Sequence, residues 1–121
     1  MPQRVRWLIW LSAVTVWTAL LLTSTPVEVG HQVLEEWWHL VLSKTLHMTG
    51  YGIITALAAW LRVPWPKNLA LLGFIICHAV TTEYLQSFVA LRSASPRDVL
   101  FNMLGISIGF IVTRQAWRTI Y

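Results

Sequence analysis

Four long apolar stretches, at residues 7–23, 45–61, 68–89 and 96–113, dominate the hydropathy pattern, with short polar or proline-bearing breaks between them. Each is near the roughly 17–25 residues that a helix needs to cross a bilayer. The pattern predicts an all-α integral membrane bundle of four transmembrane helices, one unit over residues 1–121. Between the first two stretches, Val27, Leu34, Trp38 and Val41 alternate with His31, Glu35 and His39 in the manner of a short amphipathic interfacial segment. Between the second and third, Arg62-Val63-Pro64-Trp65-Pro66-Lys67 carries two prolines that cannot continue a helix, which predicts a tight turn. The fourth stretch opens Ser95-Pro96-Arg97-Asp98, with an N-cap serine, proline at the first helical position and an acid at the third.

Composition sharpens the membrane reading. Only 12% of residues are charged and 56% are hydrophobic, against roughly 25% charged in an ordinary soluble domain. The net charge of +4 does not suggest nucleic acid, because Lys and Arg are scattered as short flanks to apolar runs rather than gathered on one solvated face. Several of the eight Trp lie near run ends, where amphipathic rings favour the headgroup level. The single cysteine, Cys77, excludes an internal disulfide and a multi-cysteine zinc site. No cofactor or metal is expected. His31, Glu35 and His39 recur every four residues, but the solvated face of an amphipathic helix explains that spacing without zinc. His47 and His78 fall at different depths, which disfavours haem, and His78 is expected to bond a neighbouring helix.

The basic residues orient the chain. With the N-terminus cytoplasmic, the inner side carries Arg4, Arg6, Arg62, Lys67, Arg114 and Arg118, leaving Lys44, Arg92 and Arg97 outside. This bias predicts a multi-pass protein of the cell membrane with both termini cytoplasmic. All five acids, Glu28, Glu35, Glu36, Glu83 and Asp98, then belong to the outer side or the outer half of the membrane. Residues 1–24 also have the basic start, apolar core and small polar end of a secretory signal peptide. Their apolar run exceeds the roughly 7–15 residues of a signal core, so retention is the expectation; cleavage would leave three helices and the same outer site.

Ionisable groups inside a bilayer are costly and usually mark a site or pair with one another. At 3.6 residues per turn, Lys44, His47 and Tyr51 lie within about 60° of one another on the second helix. Glu83 and Gln86 share a face of the third helix, and Asp98, Asn102, Gly105 and Gly109 share a face of the fourth. Gly105-x-x-x-Gly109 lets another helix approach closely, which predicts that this face is buried.

Lys44-x-x-His47-x-x-x-Tyr51, then Glu83-x-x-Gln86, then Arg92 followed by Asp98-x-x-x-Asn102-x-x-Gly105-x-x-x-Gly109, resembles the signature of the VanZ-like family of small bacterial membrane proteins. The match runs from about residue 40 to residue 113. It departs at one point: a Gly often precedes the family's Arg, where this chain has Leu91. The family is known for a member linked to resistance to the glycopeptide teicoplanin. The resemblance implies a role in the bacterial cell envelope and does not extend that resistance to this chain.

Three readings of the cluster follow. In the first, Lys44, Arg92 and Arg97, with Tyr51, Gln86 and Asn102, bind an anionic or phosphate-bearing envelope lipid or glycan. In the second, a membrane-embedded enzyme acts on a lipid-linked phosphate, with His47 as general acid or base assisted by Glu83 or Asp98. In the third, the polar groups only pair across helices, Lys44 with Glu83 and Asp98 with Arg92 or Arg97. Membrane lipids are the expected surroundings, and four short helices enclose so little interior that a homo-oligomer is compatible with the sequence.

Overall fold

A computed structural model describes residues 1–23, 35–89 and 96–118. Five helices and no strand occur among them: α1 (Gln3–Leu22), α2 (Glu36–Trp60), α3 (Lys67–Gln86), α4 (Pro96–Val112) and the short α5 (Arg114–Arg118). The Pro2 carbonyl accepts the first amides of α1, from Val5 at 3.0 Å and Arg6 at 3.3 Å. The helix ends where Thr23 turns extended. α2 ends as Arg62 enters the left-handed region at φ 52°, a common exit from a helix, and Pro64 and Pro66 then carry the chain into α3.

The observed helices depart from the hydropathy segments in two places. Residues 36–44, expected to belong to a separate interfacial segment, are instead the first turns of α2. Glu36, Ser43 and Lys44 interrupt the apolar run, yet no proline or glycine lies between Glu36 and Thr49, so polarity changes along a helix that nothing breaks. At the other end, α5 follows α4 after a turn at Thr113, whose hydroxyl accepts from Trp117 Nε1 at 3.1 Å. Glu28, His31, Arg92 and Ser95 lie outside the described residues.

The four long helices alternate in direction. Gln3 Nε2 donates to the Leu61 carbonyl (2.6 Å) and Trp10 Nε1 to that of Ile54 (3.1 Å), so α1 and α2 are antiparallel. Gln86 Nε2 reaches the Leu21 carbonyl at 3.0 Å, which joins the C-terminal ends of α1 and α3. Asn68 Nδ2 meets the Trp117 carbonyl at 3.4 Å, bringing the start of α3 to the end of α4 and α5. Arg4, Arg6, Arg62, Lys67, Arg114 and Arg118 consequently gather at one end, where the Arg6 guanidinium lies 5.2 Å from the Trp60 ring centre.

α2 and α4 run parallel and touch through glycine. A Cβ on Gly105 would lie 2.9 Å from the Met48 carbonyl carbon and Cα, and one on Gly109 would lie 2.6 Å from the Gly52 carbonyl oxygen. This seam is the close small-residue packing expected of that face.

The interior is polar to an unusual degree. His47, Thr55, Asn68, Thr82, Glu83, Gln86, Asp98 and Asn102 are buried, while Leu8, Val16, Trp37, Ile53, Phe74 and Val112 are among many large apolar side chains left exposed. α1 and α3 are each long and apolar enough to cross a membrane. Tryptophan is divided between the two regions: Trp37, Trp38 and Trp65 are exposed, but Trp10 and Trp117 are buried inside the bundle rather than at its surface.

Candidate functional site

The polar groups of α2, α3 and α4 converge toward the bundle end opposite the cluster of six basic residues. Lys44, in the third turn of α2, forms an ion pair with Asp98 in the first turn of α4. The partner of Lys44 is thus Asp98, although the charge of Glu83 also acts on it. An acid in the first turn of a helix is further favoured by the positive end of the helix dipole. The Lys44 ammonium also stands 5.5 Å from the centre of the Phe101 ring.

One turn deeper, His47 Nδ1 and Asn102 Oδ1 are 2.9 Å apart, both residues buried. An amide carbonyl oxygen can only accept, so Nδ1 carries the proton and the basic lone pair of the neutral ring belongs to Nε2. The Trp17 ring meets His47 and Tyr51 edge-on, with centroids 6.3 and 5.9 Å away. It fits there because Gly50 has no side chain: a Cβ at that position would overlap the indole.

Below this level the polar network spans α1, α2 and α3. The Thr82 hydroxyl donates to the His78 carbonyl at 2.8 Å, so it accepts from the Tyr51 hydroxyl, also at 2.8 Å. His78 Nδ1 lies 3.1 Å from the Tyr51 hydroxyl and His78 Nε2 lies 2.7 Å from the Thr18 hydroxyl, so the ring bridges α1 and α2. Tyr51 is fully buried, with its ring and hydroxyl both engaged inside the bundle.

The structure therefore brings together Lys44, His47, Tyr51, Glu83, Asp98 and Asn102, all buried except the partly exposed Lys44. Gln86 is turned to the end of α1 by its bond to Leu21. Arg97 is exposed on α4, near enough to Lys44 for its charge to act on it, and Arg92 lies outside the described residues. The sequence pattern did not single out Thr18, Trp17 and Thr82. Threonine and tryptophan are ordinary in apolar helices, and only the packing shows that these three hold the ring of His78 or His47. His78 does bond neighbouring helices, while the adjacent Cys77 is exposed. Among the described residues, no three His, Cys, Asp or Glu side chains are grouped so as to hold a metal ion.

Polar groups inside, large apolar side chains outside, a charge pair at one bundle end and two helices long enough to span are compatible with a small all-helical membrane protein. A family model described as VanZ/LLP1 matches residues 5–118, and the chain belongs to that family. No curated protein and no solved structure matches it.

Proposed function

We propose that the chain is a four-helix integral membrane protein of the bacterial cell envelope whose outer-facing polar site binds an anionic envelope lipid or glycan. The observation that carries this reading is the inverted arrangement of the bundle. Buried Glu83, Asp98 and Asn102 sit beside Lys44 at one end, while large apolar side chains face outward along α1 to α4. Water would penalise that exterior, since soluble monomers rarely expose apolar patches beyond a few hundred Å². Lipid would accept it. The six basic residues at the opposite end then mark the cytoplasmic side, with both termini there, by the positive-inside bias. Lys44, Arg92 and Arg97 supply the cations of the site, and His47, Glu83, Gln86 and Asn102 its hydrogen-bonding walls, braced from below by Tyr51. Native mass spectrometry of the protein purified in mild detergent tests the reading. A phosphate-bearing lipid or glycan should co-purify and be lost in Arg92→Ala/Arg97→Ala. A well-folded preparation with no such ligand would leave the polar groups as an interhelical network only.

One observation favours a second reading. The Asn102 carbonyl holds the Nδ1 proton of His47 and so makes Nε2 the basic nitrogen, the arrangement a general base requires. Under this reading the ligand is a lipid-linked phosphate that is turned over, with Glu83 or Asp98 exchanging the proton. His47→Ala would then abolish turnover while ligand binding survives.

A further inference from the structure

On the exposed side of α4, Arg97, Leu100, Phe101 and Leu104 line an open groove of about 350 Å³, within the roughly 300–1,000 Å³ of small-molecule sites. These four positions fall at i, i+3, i+4 and i+7, a single stripe along the helix. Leu100 is 70% exposed and Leu104 46%. The stripe is amphipathic along its length: a guanidinium stands at its outer end and three apolar side chains lie below. A second cation borders the same end, because the Lys44 ammonium stands 5.5 Å over the Phe101 ring and is near enough to Arg97 to feel its charge. Asp98 pairs with Lys44 and Glu83 acts on it as well.

We propose that this groove seats one apolar chain of a phosphate-bearing lipid whose phosphate lies at the Arg97 and Lys44 end. The inference rests on the binding function proposed above and narrows its ligand from a lipid or glycan to a lipid. A glycan would find no hydrogen-bonding partner along Leu100, Phe101 and Leu104, whereas an alkyl or polyprenyl chain needs none. Two other grooves are open at the bundle surface, one of about 470 Å³ beside Trp17 and Gly50 and one of about 320 Å³ along the α2–α4 seam. No charged side chain lines either, so either would take any lipid chain without selecting a headgroup. Of these three grooves, the α4 groove alone joins an apolar trough to paired cations.

The test uses the full chain in mild detergent, titrated with dioleoyl phosphatidic acid and followed by native mass spectrometry. Wild type should bind it at least about tenfold more tightly than dioleoylglycerol, which has the same chains and no phosphate, the scale of a lost charge-assisted hydrogen bond. Arg97→Gln should remove that preference. Leu100→Gln/Leu104→Gln should weaken binding about fivefold or more, since each amide would meet the chain without a partner. Ile111→Gln/Val112→Gln, equally exposed at the other end of α4, should change nothing. If the groove pair binds like wild type while Arg97→Gln does not, the chain site is overturned and the headgroup reading stands. If wild type ignores phosphatidic acid, both are overturned. Competition by inorganic phosphate at equal concentration would also overturn the lipid. Comparison with dihexanoyl phosphatidic acid on wild type needs no variant: equal affinity for the two chain lengths refutes the groove.

Discussion

Replacing Gly105 by alanine puts a methyl group against the backbone of the facing helix. That carbon would stand 2.9 Å from both the carbonyl carbon and the Cα of Met48, and nearer still to the carbonyl oxygen. These 2.9 Å approaches alone must open by about half an ångström to reach the 3.4 Å at which ordinary contact begins. Because the obstacle is main chain, no side-chain rotation relieves it, and α2 and α4 must separate. Overpacking of this kind costs about 1–3 kcal/mol. The same movement stretches the 2.9 Å bond between His47 and Asn102, and interhelical hydrogen bonds in membranes are each worth about 0.6 kcal/mol on average. Against these stands a gain of about 1 kcal/mol from the better helix propensity of alanine. The net expectation is a loss of about 2 kcal/mol. Gly73→Ala supplies the opposite sign, because a Cβ there meets nothing within 4 Å; it should gain up to about 1 kcal/mol. Unfolding of the purified protein in mixed micelles by increasing sodium dodecyl sulfate, followed by far-ultraviolet circular dichroism, separates the two. If Gly105→Ala resists detergent as well as wild type, the close parallel seam is refuted.

Tyr51→Phe removes the hydroxyl that bonds Thr82 and faces His78, so a stability loss of about 1 kcal/mol is expected in the same assay; a variant as stable as wild type would show that this network does not brace the bundle. For the Lys44–Asp98 pair, whose side chains are 25% and 10% exposed, Lys44→Ala should cost about 1–3 kcal/mol. That lies below the range for fully buried pairs because water still reaches the lysine. The double variant Lys44→Ala/Asp98→Ala should be less destabilised than the two single losses added together, and strict additivity would show that the pair is not coupled. Asp98→Asn removes the carboxylate that holds Lys44 and is expected to retain the anionic ligand at least as well as wild type while protein level falls only modestly; a variant that accumulates but loses the ligand would refute competition between Asp98 and the ligand for Lys44.

Periodicity alone made much of this arrangement legible. Asp98, Asn102, Gly105 and Gly109 fall on one helix face by spacing, and all four are buried. Glu83 and Gln86 are likewise buried on one face of α3. Spacing within a helix cannot say which face of a neighbour it meets, and so Lys44 was expected to pair with Glu83, whereas the parallel register of α2 and α4 sets Asp98 opposite it. The start of α2 was hidden for a different reason. Hydropathy falls at Glu36 and Lys44, but helix formation depends on the backbone, and the chain there contains nothing that breaks it. Trp10 and Trp17 were not singled out: indole rings suit the membrane interface in general, yet these two fill the α1–α2 contact, where Ile54 offers a carbonyl and Gly50 offers space.

The seam also explains why the polar groups lie where they do. Side by side and parallel, α2 and α4 have dipoles that repel, and apolar surroundings screen that repulsion poorly. Something must hold them together. Glycine contacts at Gly52, Gly105 and Gly109 bring the backbones close enough for dispersion to act along the lower half of the pair. Toward the Lys44 end the attachment changes to specific bonds, His47 to Asn102 and then Lys44 to Asp98. Asp98 serves twice there, since its charge meets both the lysine and the positive end of its own helix. The Lys44 end is therefore the part of the seam held by exchangeable groups, and under the proposed function a phosphate that engages Lys44 would compete directly with Asp98. The glycine half offers no such exchange, so binding at the Lys44 end would loosen or re-aim the first turn of α4 while the remainder of the bundle stays fixed.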